Sequence, residues 1–157
     1  ANSEEVLLPG TNAKMNELQA AFGLLQLKYV DDYIDKRKSI AELYKRELTN
    51  TKGLRFIQNR EGILHSYTYF PILIDSEIYG ESRDEVYERL KTNNIFGRRY
   101  FYPLISQFPT YRKLLSAKDE NLPMACSVAE KVICLPIYPG LNYEDQMKII
   151  RILKFDL

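Results

Sequence analysis

The 157-residue sequence has one histidine, His65. That scarcity excludes a His-rich metal site and leaves any Ser-His-Asp triad without a choice of base. Cysteine is nearly as rare: Cys126 and Cys134 stand eight positions apart in an apolar stretch. Two cysteines do not make a disulfide scaffold, and both read as reduced and structural. No apolar run reaches the roughly eighteen residues that a membrane-spanning helix needs. The opening Ala1-Asn2-Ser3-Glu4-Glu5 also lacks the basic-then-apolar order of a secretory leader, so the cytoplasm is the expected compartment. An excess of one charge is missing too. The 22 basic and 21 acidic side chains are spread along the chain and leave a net +1, which argues against nucleic acid as the main ligand.

What is present suits a folded domain. Apolar residues make up 45% and charged residues 27%, too apolar a mixture for a disordered chain. Residues 1–14 are polar, contain the turn signal Pro9-Gly10, and read as a connection entered from upstream. Over 15–49 an apolar stripe at helical spacing runs through Met15, Leu18, Phe22, Leu25 and Tyr29, then on through Val30, Ile34, Ala41, Tyr44 and Leu48. It predicts one long helix or two in line, with Asn12 or Asn16 as cap; Gln19 lies at the capping-box spacing from Asn16. Continuous, the helix would measure roughly 50 Å, the length of an element that crosses between domains or subunits.

Residues 50–157 read as a small α+β domain, an antiparallel sheet covered on one face by helices. Strands are expected at Leu54 to Ile57, at Tyr67 to Ile74 with Phe70, Ile72 and Ile74 on one face, and at Ile95 to Tyr102. Pro71 places its strand at an edge or a bulge. Ser82-Arg83-Asp84-Glu85 is a capping box opening a helix that buries Val86 and Leu90. Pro109 and Pro123 suit the first turns of two further helices, the second burying Ala125, Val128, Ala129 and Val132. Asn142 caps a last helix containing Met147, Ile150 and Leu153.

Three constellations could carry chemistry. In Gly10-Thr11-Asn12-Ala13-Lys14-Met15 a turn delivers polar groups to the positive end of a helix, where Asn12 and Lys14 suit an anion such as phosphate; simple capping is the competing reading. In Arg98-Arg99-Tyr100-Phe101-Tyr102-Pro103 successive strand residues face opposite sides, so only one arginine can meet a given ligand. Its guanidinium fork fits phosphate or carboxylate, and Tyr100 and Tyr102 could stack on a base or bond a sugar hydroxyl. An exposed strand with surface ion pairs explains the same residues. Finally, His65 precedes a strand with no acid partner near it in sequence, which favours a structural role.

At these residues the chain resembles a known family. Gly10-Thr11-Asn12-Ala13-Lys14-Met15 with Gln19-Ala20-Ala21 is similar to the G-x-N-x-[RK]-M-x-x-x-Q-A-A segment of the DegT/DnrJ/EryC1/StrS aminotransferases. The likeness continues in order through 65–74, Ser82-Arg83-Asp84, 95–103 and Cys134-Leu135-Pro136-Ile137-Tyr138-Pro139-Gly140-Leu141. It implies the small C-terminal domain of a fold type I transferase that uses pyridoxal 5'-phosphate (PLP). Such an enzyme moves an amino group, usually from glutamate, to a nucleotide-linked keto sugar for surface polysaccharides or deoxysugars.

The resemblance further implies a homodimer, with Asn12 reaching the PLP phosphate of the neighbouring subunit and Lys14 beside it where arginine is common. Arg98, Tyr100 and Tyr102 would lie near the sugar-nucleotide entrance. No second histidine follows His65 at the spacing the family often shows. None of the lysines sits in the family's PLP-lysine context, so no catalytic residue and no metal ligand is expected here, and the chain alone would be inactive. Two alternatives stand beside this reading: a PLP-dependent sugar dehydratase on the same scaffold, and a non-catalytic dimerisation or regulatory module.

Overall fold

The computed structural model describes residues 14–155. Helix α1 spans Glu17–Leu27 and α2 spans Val30–Leu48; strands β1 (Leu54–Phe56) and β2 (Phe70–Ile74) follow, then α3 (Ser76–Tyr79) and α4 (Arg83–Thr92). After three short 3-10 turns come α5 (Pro123–Lys131), β3 (Val132–Leu135) and α6 (Tyr143–Lys154). The chain divides into two compact units, Ala1–Val30 with Phe101–Ala129, and Asp31–Tyr100 with Glu130–Leu157.

The second unit holds the sheet, in the order β1-β2-β3 and antiparallel throughout. Phe70, Ile72 and Ile74 share one face of β2 and are all buried, as their alternation predicts. Against them pack Tyr44 and Leu48 of α2, Val86 and Leu90 of α4, and Ile149, Ile150 and Leu153 of α6. This is the expected α+β arrangement. Three helix starts are capped by side chains: Asn16 accepts from the Gln19 amide at 2.9 Å, Ser82 from the Glu85 amide at 3.3 Å, and Asn142 from the Asp145 amide at 2.8 Å.

Of the two readings of 15–49, the structure has two helices rather than one, with the break at Lys28 and Tyr29, whose amides bond three residues back to Leu25 and Gln26. Asp31 and Asp32 then sit in the first turn of α2, where their charge favours a fresh helix start. Several expectations need correction. Ile95 to Tyr102 is not a strand but a single bridge, Arg98 to Cys134. The turn closing α4 extends to Ile95, whose amide bonds the Leu90 carbonyl, and leaves too little chain for a ladder. No α-helix follows Pro109, because Tyr111, Leu114 and Leu115 stay exposed and bury no face that would hold one. Helix α5 does begin at Pro123, but it buries only Ala129; Ala125 and Val128 are exposed, and Val132 already belongs to β3.

The Tyr67 to Ile74 strand begins only at Phe70, since Tyr67 takes the left-handed φ of 50°. Pro71 lies in the central strand, not at an edge. Its tolerance there has a local cause. Both backbone groups of Cys134, its partner, bond to Arg98 on the far side of β3, so the position of Pro71's missing amide faces the β1 side. Pairing with β1 has already ended at Ile72, so no ladder bond is lost.

Two close approaches explain two glycines. A Cβ on Gly53 would lie 2.5 Å from the Tyr79 amide nitrogen, and the residue has φ +79°. One on Gly97 would lie 2.9 Å from Ile133 Cδ1 and 3.3 Å from the Cys134 carbonyl oxygen, so the 97–98 segment runs close against β3. At the end of α6 a polar knot adds to the left-handed Phe155 cap, whose amide bonds back to the Arg151 and Ile152 carbonyls. Arg89 donates to the Ile152 carbonyl and, at 2.8 Å, to Tyr79 Oη, pairs with Glu81 at 2.9 Å, and lies 4.1 Å from the centre of the Phe155 ring. Tyr79 Oη in turn donates to the Leu153 carbonyl at 2.8 Å, and burial raises its pKa.

Truncation of Ile72 to alanine, in the fully buried centre of this packing, is expected to cost about 2–5 kcal/mol in urea unfolding. A second test concerns pH. The amide and hydroxyl of Ser82 both donate to the Glu85 carboxylate at 2.7 Å and hold its pKa below the usual 4.5. A depressed folded pKa stabilises above the unfolded value, and that stability fades as pH falls through the folded one. Glu85→Gln should therefore flatten the loss of stability below about pH 4.5 relative to the parent chain, read by denaturant midpoints. A third test uses the thiols: Cys134 is buried and its pKa is pushed up to about 11, whereas Cys126 is half-buried. At pH 8 the native protein should expose one reactive thiol to a chromogenic disulfide, the second appearing only on unfolding.

Candidate functional site

The site residues of the second unit converge at the outer edge of β3. Arg98 is fixed by its backbone, with its amide on the Cys134 carbonyl at 2.9 Å and its carbonyl on the Cys134 amide at 2.8 Å. The side chain is exposed, and Nη1 donates to Tyr69 Oη at 3.2 Å. Its guanidinium carbon also lies 5.7 Å from the centre of the Tyr69 ring. The Tyr69 ring contacts that of Tyr100, centroid to centroid 4.7 Å. The exposed guanidinium thus stands beside Tyr69, which in turn packs against Tyr100, and one of its five N–H donors is used on the Tyr69 hydroxyl.

Arg99 is turned elsewhere. It lies 3.4 Å from Asp84 Oδ1 at the start of α4 and 4.8 Å from the centre of the Tyr87 ring. Asp84 is shared with the buried Arg83, whose Nε lies 2.8 Å away. The two neighbouring arginines therefore divide their work: Arg99 braces the segment against α4, and Arg98 is presented outward. Sequence spacing leaves the choice between them open, because nothing in it shows which one Asp84 takes. The partners Tyr69 and Asp84 were missed as site residues for the same reason: each is distant in sequence, and the only signal available for Tyr69 is its place in an aromatic-rich run before a strand.

Tyr102 belongs to the first unit and is exposed. Lys14 is exposed just ahead of α1. Asn12 lies outside the described residues. Asn16, however, makes the complete capping box of α1, its own amide bonding Gln19 Oε1 at 3.1 Å. Capping of α1 is thereby assigned to Asn16.

His65 is exposed, accepts from the Tyr67 amide at 2.8 Å through Nδ1, and packs its ring 4.7 Å from that of Tyr67. That short loop contact is a structural use of the imidazole. Among the described residues, no group of three or more His, Cys, Asp and Glu is placed to hold a metal, and no helix is long and apolar enough to cross a membrane.

Helix α1 is the other unusual surface. None of its residues is buried, and Leu18, Phe22 and Leu24 are 83%, 61% and 67% exposed. An apolar helix face of this kind is normally covered by protein.

The chain is 51% identical over 153 residues to the dTDP-4-amino-4,6-dideoxy-D-glucose transaminase of Escherichia coli, a match covering 98% of this chain and 41% of that protein. It is 37% identical over 141 residues to the GDP-perosamine synthase of Vibrio cholerae, covering 88% of this chain and 36% of the relative. Among solved structures, the aminotransferase TlmJ of Streptoalloteichus hindustanus superposes with a TM-score of 0.76 at 25% identity, over 96% of this chain and 39% of that one. The chain thus spans about two fifths of the length of the proteins it matches. The family model of the DegT/DnrJ/EryC1/StrS aminotransferases matches residues 2–154, and the chain belongs to that family.

Proposed function

We propose that the chain is the C-terminal part of a PLP-dependent aminotransferase that moves an amino group from an amino acid, glutamate, to the keto group of a nucleotide-linked sugar. The observation that carries the reading is the division of labour between Arg98 and Arg99. It leaves one guanidinium fork beside Tyr69 and Tyr100, where a phosphate of a sugar nucleotide would be recognised. Two relatives, a dTDP-sugar transaminase and a GDP-perosamine synthase, agree by name with a nucleotide-sugar substrate.

In this reading the chain supplies binding and orientation. PLP, when bound, provides the electron sink that lets an amino group leave one carbon and join another. Asn12 and Lys14 would hold its phosphate, the exposed Lys14 standing just ahead of the positive end of α1. That pairing fits the chemistry of a phosphate dianion, and the assignment of the α1 cap to Asn16 leaves Asn12 available for it. Arg98 binds the anionic part of the sugar nucleotide, and Tyr100 and Tyr102 contact its base or sugar. The PLP-bearing lysine comes from outside this chain, which alone has no turnover. The exposed face of α1 through Met15, Leu18, Phe22 and Leu25 supplies surface for the rest of the enzyme and its second subunit. The same face would serve a dimerisation module that had lost catalysis.

Three variants of the full-length enzyme test this. Arg98→Ala should raise KM for the nucleotide sugar by about tenfold or more with kcat little changed, and Arg98→Lys should not restore it, because the fork is lost. Asn12→Ala should weaken PLP retention on dialysis while leaving the oligomer intact. Phe22→Lys should shift the oligomer towards smaller species in sedimentation velocity. An unchanged KM in Arg98→Ala would sink the substrate assignment, and a module without catalysis would leave all three readouts free of any change in turnover.

A further inference from the structure

A second cleft lies in the unit that carries Arg98. It has a volume of about 360 Å³ and opens beside β2 where pairing with β1 has run out, between the strand edge at Tyr69 and Pro71 and the loop 57–66. Its size is at the lower end of the range for small-molecule sites. Two features of its lining point to a ligand. The rings of Phe56, Tyr67 and Tyr69 form its walls, and Lys45 and Arg60 are its charged groups; no lining residue is acidic. A cleft of rings and cations without a carboxylate favours a flat body carrying negative charge.

The polar groups are also held in place. Tyr67 adopts φ 50°, an uncommon conformation for a non-glycine residue, yet is 8% exposed and bonded. Its hydroxyl accepts from Asn59 Nδ2 at 2.8 Å, and Asn59 Oδ1 accepts from Lys45 Nζ at 2.9 Å. The chain of bonds anchors the lysine ammonium at the cleft and leaves two of its three donors for an anion. The exposed Gln58, also on the lining, offers an amide with donor and acceptor in one plane, the pattern that pairs with the edge of a nucleobase.

We propose that this cleft binds a nucleoside monophosphate, with the base between the rings and against Gln58 and the phosphate on Lys45 and Arg60. The site is separate from the Arg98 fork and does not rest on the aminotransferase reading. The two share one wall, since the Tyr69 ring lines the cleft while its hydroxyl accepts from Arg98.

Titration of the chain with thymidine 5'-monophosphate by calorimetry, with thymidine and inorganic phosphate as controls, tests the proposal. Saturable binding is expected, at least tenfold tighter than either control. Lys45→Met, which keeps the stem and removes the charge, should weaken it about tenfold, as should Arg60→Gln in the exposed loop if the lysine variant fails to fold. No saturation by about 10 mM, or phosphate alone binding as tightly as the nucleotide, would overturn the proposal. So would loss of binding in Arg98→Ala with none in Lys45→Met and Arg60→Gln, which would put the anion on the Arg98 fork instead.

Discussion

The second unit depends on one strand face. Phe70, Ile72 and Ile74 point the same way from β2, and α2, α4 and α6 each set their apolar stripe against that face or its neighbours. Burial of such side chains stabilises by about 1.5–3 kcal/mol each, well above any single hydrogen bond or surface ion pair in the unit. The face also fixes register, because a slip of one residue would turn Pro71 and Leu73 inward and the three large side chains out. Everything that positions Arg98 follows from it. β3 pairs with β2, Cys134 presents its backbone groups outward from β3, and those groups hold Arg98.

The chemistry at that edge is organised by charge as much as by packing. Two adjacent arginines on an exposed segment could both drift into solvent. Here Asp84 and the Tyr87 ring engage Arg99, and Arg83, buried beneath, shares the same carboxylate. Surface contacts of this kind contribute little to stability one at a time, but they determine which guanidinium faces outward. The same logic operates at α6, where Arg89 and Tyr79 meet carbonyls at the helix end, so a cation balances the negative end of the helix dipole.

Helix α1 follows a different rule. Its apolar side chains are more exposed than those of any helix with a core of its own, while its cap is complete. Local signals make the helix, and burial of its face is left to other protein. A chain that spans about two fifths of its relatives' length is the setting in which such a face is expected.

Periodicity and capping chemistry made much of this protein legible in advance. The starts at Asn16, Ser82, Pro123 and Asn142, the buried face of β2, and the cores of α4 and α6 are all local patterns that the structure keeps. The G-x-N and Arg-Arg-Tyr strings likewise marked the family before any fold was known. What escaped were features decided by neighbours distant in sequence. β3 follows Lys131 of α5 with no turn residue between, so its apolar run reads as more helix. Pro71 sits in a central strand because β1 happens to end at its flank. Which arginine is presented, and that Tyr69 accompanies it, depended on Asp84 and on the Cys134 bridge. Sequence by itself determined the capped helices α4 and α6 and the buried face of β2, since those follow from side-chain period; only tertiary structure decided where β3 begins and which polar groups met at the edge, because that depends on contacts between residues far apart along the chain.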